Sequence, residues 1–145
     1  MRRKPRLFHL LSRAQRAVAN VAERESLAAL GVTPVQLGLL YTLGRDAPVP
    51  LAEVGRALDL SPAGLSGLVD RMVAAGLIER RVSATDKRAA ELVMTPRGRA
   101  LRDRSLPLLD AINARIFDGV PPEHQAIIAD FLDSLPDRIN RKDTP

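Results

Sequence analysis

Cysteine is absent, which removes disulfides, thiolate catalysis and thiol-based redox sensing together and leaves the cytoplasm as the expected location. Tryptophan is absent too, and one tyrosine with three phenylalanines brings the aromatic share to 3%. A pocket walled by stacked rings is therefore thinly supplied. Histidine occurs only as His9 and His124, and neither has a partner at a metal-binding spacing such as HExxH, so no metal and no other cofactor is expected. No apolar run approaches the roughly 18 residues of a membrane span. The basic opening MRRKPRLFHLL passes quickly into SRAQRAVANVAERES, whose charges follow a helical period rather than the pattern of a secretory signal.

Catalytic constellations are missing as well. The nearest approach to a nucleophile elbow is Gly64-Leu65-Ser66-Gly67-Leu68, which lacks the second glycine of G-x-S-x-G and has no strand before it. With no paired histidines and no phosphate-cradling loop, the chain reads as a binding protein and not as an enzyme.

What is present is a chain of 145 residues, 46% apolar and 27% charged, enough for one ordinary domain with helical extensions. The net charge of +5 is unevenly placed. Arg2, Arg3, Lys4 and Arg6 open the chain without an acid, residues 56 to 104 hold ten bases against six acids, and residues 105 to 145 hold four against seven. An anionic partner would meet the middle and the N-terminal tip.

Thr33-Pro34, Ser61-Pro62 and Thr95-Pro96 repeat one local idea. A hydroxyl at the N-cap accepts a backbone N–H, and proline at the first helical position lacks only a donor that would have been orphaned. Three helix starts are predicted there. A first helix precedes them, with Leu7, Leu10, Leu11, Ala14, Val18 and Val21 on one face and Gly31 closing it. A second runs from Pro34 and stops near Arg45 to Pro48, and LAEVGRAL forms a short third. The fourth, from Pro62, buries Leu65, Leu68, Val69, Met72 and Val73 and ends at Gly76 with Leu77 packing back. The period then changes to two over Ile78 to Val82 and Ala90 to Met94, on either side of the polar turn VSATDKRA. A long helix from Pro96 should kink or divide at Pro107. A last helix carries Ile127, Ile128, Phe131, Leu132, Leu135 and Ile139.

Helix, short helix, tight turn, helix and hairpin in this order make a winged helix-turn-helix. The expected fold class is mainly α with a small β-hairpin wing. Residues 1–32 form an N-terminal dimerisation helix, 33–98 the DNA-binding lobe and 99–145 C-terminal dimerisation helices. Apolar stripes at both chain ends exceed what one lobe can cover, so a homodimer is expected.

In such a lobe the helix from Pro62 enters the major groove by its N-terminal end. Ser61, Ala63, Gly64, Ser66, Gly67 and Arg71 are the expected DNA contacts, with Asp70 and Ala74 also outward. Each glycine there weakens the helix by about 1 kcal/mol relative to alanine. Either the small residues let the backbone approach DNA, or they avoid a clash with a neighbouring helix. The wing tip offers Lys87 and Arg88 to phosphates or a minor groove, with Asp86 holding Arg88 by a charged hydrogen bond. A merely solvated turn is the plainer alternative.

The TPVQL entry, LVDRM followed by GLIERR, the wing pair Asp86 and Arg88, and L-x-M-T-x-x-G from Leu92 to Gly98 stand together in one order and spacing. On these pieces the chain resembles the multiple antibiotic resistance regulator (MarR) family of bacterial transcription factors. The resemblance implies a homodimer on double-stranded DNA at a pseudo-palindromic operator. It also implies, in many members, a small aromatic or phenolic ligand between the dimerisation helices and the lobe that weakens DNA binding. It makes Arg88 the minor-groove residue and sets Ser66 where the family has a base-facing threonine. Arg71 matches a family position too, with a structural bridge from helix to wing favoured over a base contact. Phe8, His9, Arg13 and Tyr41 are the ligand candidates, although His9 and Tyr41 also suit ordinary half-buried polar positions. A ligand-independent or architectural DNA binder of the same fold is the alternative.

Overall fold

The elements follow the order α1 (Leu7–Leu30), α2 (Pro34–Thr42), β1 (Val49–Pro50), α3 (Leu51–Ala57), α4 (Pro62–Ala74), β2 (Ile78–Val82), β3 (Ala90–Met94), α5 (Pro96–Ile116) and α6 (Pro122–Asn140). The structure is a computed structural model that describes residues 6–44 and 47–141. The basic residues Arg2, Arg3 and Lys4, and Arg45 in the expected helix stop, lie outside the described residues.

Each hydroxyl–proline junction caps a helix. Thr33 makes a reciprocal box with Gln36, whose backbone N–H donates to Thr33 Oγ1 at 3.4 Å while Thr33 N donates to Gln36 Oε1 at 2.8 Å. Ser61 Oγ accepts from Gly64 N at 3.1 Å, and Thr95 Oγ1 accepts from Gly98 N at 3.0 Å. Helix ends are equally local. Gly31 takes φ +70° after α1, and α4 closes with Gly76 N on Val73 O at 2.9 Å and Leu77 N on Met72 O at 3.0 Å. Those two bonds with Gly76 at φ +70° are the Schellman arrangement that the Gly76-Leu77 pair predicts.

The described chain divides after Leu109 into two compact units, and α5 crosses the division. In the first, Leu37, Leu39, Leu40, Val54, Leu65, Leu68, Val69, Met72, Leu77, Ile78, Leu92 and Met94 form one core. Its members come from the inward faces of α2, α3 and α4, from Leu77 just after α4, and from the sheet. In the second, α6 has no buried residue at all.

Four details depart from the sequence reading. The sheet has three antiparallel strands in the order β1-β3-β2, because Val49 and Pro50 pair with Leu92 and Glu91. Helix α2 ends at Thr42, and Gly44 at φ +64° turns the chain before Arg45 is reached. Of the kink or division expected at Pro107, the division does not occur, since α5 is one helix from Pro96 to Ile116. In β2 only Ile78 is buried, while Val82 is 68% exposed, so the strand alternation stops at its first residue.

Candidate nucleic-acid interface

Burial sorts α4 cleanly. Leu65, Leu68, Val69 and Met72 face the core, and Ala63, Gly64, Ser66, Asp70, Arg71 and Ala74 are exposed, with Gly67 half-buried. Val73, expected inside, is exposed. Seen from outside, the helix offers a nearly flat strip of Ala63, Gly67 and Ala74, interrupted by the single acid Asp70.

The two glycines have separate surroundings, and among the described residues neither meets another helix. A Cβ on Gly64 would stand 3.2 Å from Ser61 Oγ, so Gly64 leaves room for the N-cap. A Cβ on Gly67 would meet only Arg71 Nη1, at 3.4 Å. The clash-avoidance explanation therefore fails for both. Close approach between helices instead falls at Gly55 of α3, where a Cβ would come 3.0 Å from Leu65 Cδ2.

Arg71 corrects a second expectation. Among the described residues it makes no hydrogen bond or ion pair to the wing. Its guanidinium lies back toward Gly67, and its side chain borders a cavity of about 510 Å³ that Glu23, Thr33, Pro34, Val35 and Gln36 also line. Within α4, an i to i+4 spacing puts Gly67 and Arg71 one above the other, which is why the missing side chain makes space for the long one.

Ser61 Oγ uses one lone pair on Gly64 N, which leaves its O–H able to donate outward. At the other edge of the surface, the wing tip is tied by its own backbone. Ser83 is buried and accepts from Thr85 N and Asp86 N, each at 3.3 Å, while Ser83 N donates to Ala89 O at 3.0 Å. Asp86 Oδ1 accepts from Arg88 N at 2.9 Å. The expected charged bond from Asp86 to the Arg88 guanidinium is thus a backbone bond. It shapes the turn and leaves the exposed Lys87 and Arg88 side chains free for an anion.

Beside α4 opens a cavity of about 610 Å³, walled by Leu51, Gly55, Leu60, Pro62 and Leu65 and edged by Arg56, Asp59, Ser66 and Arg80. The sequence reading missed it. Its one signal was the GLIERR run, where Arg80 follows the buried Ile78 by two residues on a strand whose alternation suggested an inward side chain.

The ligand candidates are not brought together by contact. Phe8 and His9 stack edge to face with centroids 5.6 Å apart on an exposed stretch of α1, and Phe8 is 77% exposed. Arg13 is exposed on the same helix. Tyr41 belongs to another cluster, with its hydroxyl 2.9 Å from the buried Ser105 Oγ and the Arg102 guanidinium 4.9 Å over its ring.

Comparison with known proteins agrees with this geometry. Residues 30–89 match the model of the MarR family. Among curated relatives, the chain is 30% identical over 99 residues to the transcriptional repressor MdtR of Bacillus subtilis, covering 68% of this chain and 64% of that one. It is 26% identical over 119 residues to the regulator YkoM of the same organism, covering 82% and 77%. Among solved structures, CouR from Rhodococcus jostii RHA1 bound to p-coumaroyl-CoA superposes with a TM-score of 0.79 at 27% identity, over 90% of this chain and 91% of that one. The capped α4, the wing and these likenesses agree, and the chain belongs to the MarR family of winged helix DNA-binding transcriptional regulators.

Proposed function

We propose that the protein is a homodimeric repressor that binds a pseudo-palindromic operator and is released by a small organic ligand. The observation that carries this reading is the joint exposure of α4's flat outer strip and a wing tip whose two cations have no acid partner among the described residues. Ser61, Ala63, Gly64, Ser66 and Gly67 bring backbone and hydroxyl groups to the groove, with Arg71 beside them. Lys87 and Arg88 meet phosphates or the minor groove. Few long side chains reach base edges, so readout leans on shape and phosphate positioning more than on bidentate hydrogen bonds.

A second copy of the chain is the natural cover for the end helices, each considered by itself. Helix α6 carries Ile127 at 65% and Ile139 at 71% exposure, and α1 exposes Leu7, Phe8, Leu10 and Val18. Apolar surface of this extent is more than a monomer usually leaves in water. Repression is supported by the likeness to MdtR, which is named a repressor. Ligand release is supported by the cavity beside α4 and by the likeness to CouR, whose structure holds p-coumaroyl-CoA.

Footprinting on DNA flanking the source gene tests the reading. Protection of one short inverted repeat by a dimer, relieved by an aromatic acid from a small panel, is the expected result. Uniform coverage with a steep salt slope would instead identify an architectural binder.

A further inference from the structure

A slot of about 280 Å³ opens at the C-terminal end of α4. Its floor and walls are Leu30, Gly31 and Val32 at the end of α1, Ala75 and Leu77 at the end of α4, and a stripe along α5. That stripe is Arg97, Ala100, Leu101 and Arg104, at the i, i+3, i+4, i+7 spacing that shares one helix face. Val32, Leu77 and Leu101 are buried, whereas both arginines are exposed at the rim. No acid lines the slot, and neither guanidinium is paired with a carboxylate among the described residues. Arg97 also sits in the first turn of α5, where no acid balances it and the helix dipole disfavours a cation. A bound anion would relieve that placement.

We propose that this slot binds a short aliphatic carboxylate, its chain against Val32, Leu77 and Leu101 and its carboxylate between Arg97 and Arg104. Guanidinium forks suit a carboxylate, and seven residues of helix hold the two within reach of one anion placed between them. The walls contain no aromatic side chain to stack on a ring, and the volume falls just below the range of about 300–1,000 Å³ for drug-sized ligand pockets. Both features select a small, flexible, aliphatic body.

Occupancy acts on the joint that sets the recognition helix. Thr95 Oγ1 donates to Gly76 O at 2.7 Å, and Thr95 N donates to Leu77 O at 3.1 Å, which fastens the end of α4 to the start of α5. A ligand seated against Ala75 and Leu77 bears directly on that fastening. This regulatory half rests on the operator-binding reading given above, whereas the binding half does not.

Calorimetry with hexanoate and the DNA-free, full-length protein tests binding first. A Kd on the order of a millimolar or tighter is expected for a ligand of this size. The Arg97→Gln, Arg104→Gln double variant should weaken it at least tenfold, and Ala100→Leu should block it with the arginines intact. Circular dichroism of both variants should match the parent, since all three positions are exposed. No heat with hexanoate, equal binding of inorganic phosphate, or binding unchanged in both variants overturns the site. Operator affinity is then measured with and without hexanoate. A fall of about fivefold or more, absent in the double variant, supports the coupling. Binding of hexanoate with operator affinity unmoved overturns the coupling alone, and a protein that binds hexanoate but no operator overturns the repressor reading and leaves the slot standing. If the double variant alone loses operator affinity and salt dependence without hexanoate, the arginines are DNA contacts and the proposal fails.

Discussion

Gly98 lies so close to the backbone carbonyl of Leu77 that no side chain fits between them, and a Cβ there would also come 2.8 Å from Met94 Cγ. The obstructing atoms include backbone, held by the Thr95 N to Leu77 O bond at 3.1 Å, so they cannot swing aside. Alanine at position 98 would gain up to about 1 kcal/mol in helix propensity. The collision outweighs that gain, because overpacking a tight core position costs about 1–3 kcal/mol and sometimes more. Gly98→Ala should therefore lower the urea midpoint at unchanged slope. A midpoint equal to that of the parent protein would mean the α4–α5 joint is looser than its geometry.

Tyr41 and Ser105 give a smaller, separable effect. Ser105 is fully buried and donates to Arg102 O at 2.6 Å, so its oxygen relies on the Tyr41 O–H for the bond at 2.9 Å. Tyr41→Phe removes that donor but keeps the ring beneath the Arg102 guanidinium. The expected loss is about 1 kcal/mol, the usual net value of one such hydrogen bond. Tyr41→Ala also deletes the ring and its packing and should lose clearly more. Equal losses in the two variants, measured by denaturant unfolding, would show that the hydroxyl carries everything and the ring nothing.

Gly67 separates folding from binding. Among the described residues a Cβ there would meet the far end of Arg71, a flexible group that can yield at little cost, so Gly67→Ala should leave stability unchanged or raise it by up to about 1 kcal/mol. On the proposed interface the same methyl holds the backbone away from DNA and displaces the Arg71 guanidinium, and operator affinity should fall about tenfold. Gly64→Ala is the informative contrast. There the methyl crowds the Ser61 cap at 3.2 Å, and a weakened cap, typically worth about 1 kcal/mol, offsets the propensity gain. A Gly67→Ala protein that binds its operator as tightly as the parent would remove Gly67 from the interface.

Local chemistry made most of this fold legible. The caps at Thr33, Ser61 and Thr95 and the stop at Gly76 are decided within four residues of sequence, and all four form where the side-chain chemistry indicates. What escaped was non-local. Two residues, Val49 and Pro50, are too short to show a period, and they become a strand only because Leu92 and Glu91 stand ready to pair. Proline at 107 reads as a breaker by its own chemistry, yet one helix runs through it. The site followed the same division. Outward positions on α4 and the cationic tip could be read from spacing. The room over Gly67 and the backbone bond from Arg88 to Asp86 depend on rotamers, and the arginine-edged cavities on elements distant in the chain.

Arg88 offers the sharpest test of the wing, because its side chain has no partner to lose among the described residues. Its backbone N–H stays on Asp86 Oδ1 at 2.9 Å whatever side chain follows, so Arg88→Ala should fold and melt like the parent protein. Operator affinity should fall by about 1–3 kcal/mol, or roughly fivefold to 150-fold, if the guanidinium enters a narrowed minor groove. A phosphate contact alone would act differently. It would weaken binding to all sequences alike and reduce the slope of log affinity against log salt by about one. Titrating Arg88→Ala and Arg88→Lys against the operator and a scrambled duplex at several salt concentrations distinguishes the two. Lysine restores charge but lacks the planar fork that suits a narrow groove. Rescue by lysine therefore points to phosphate, and failure of rescue points to the groove. Unchanged affinity in both variants, on either duplex, would take the wing tip out of DNA binding.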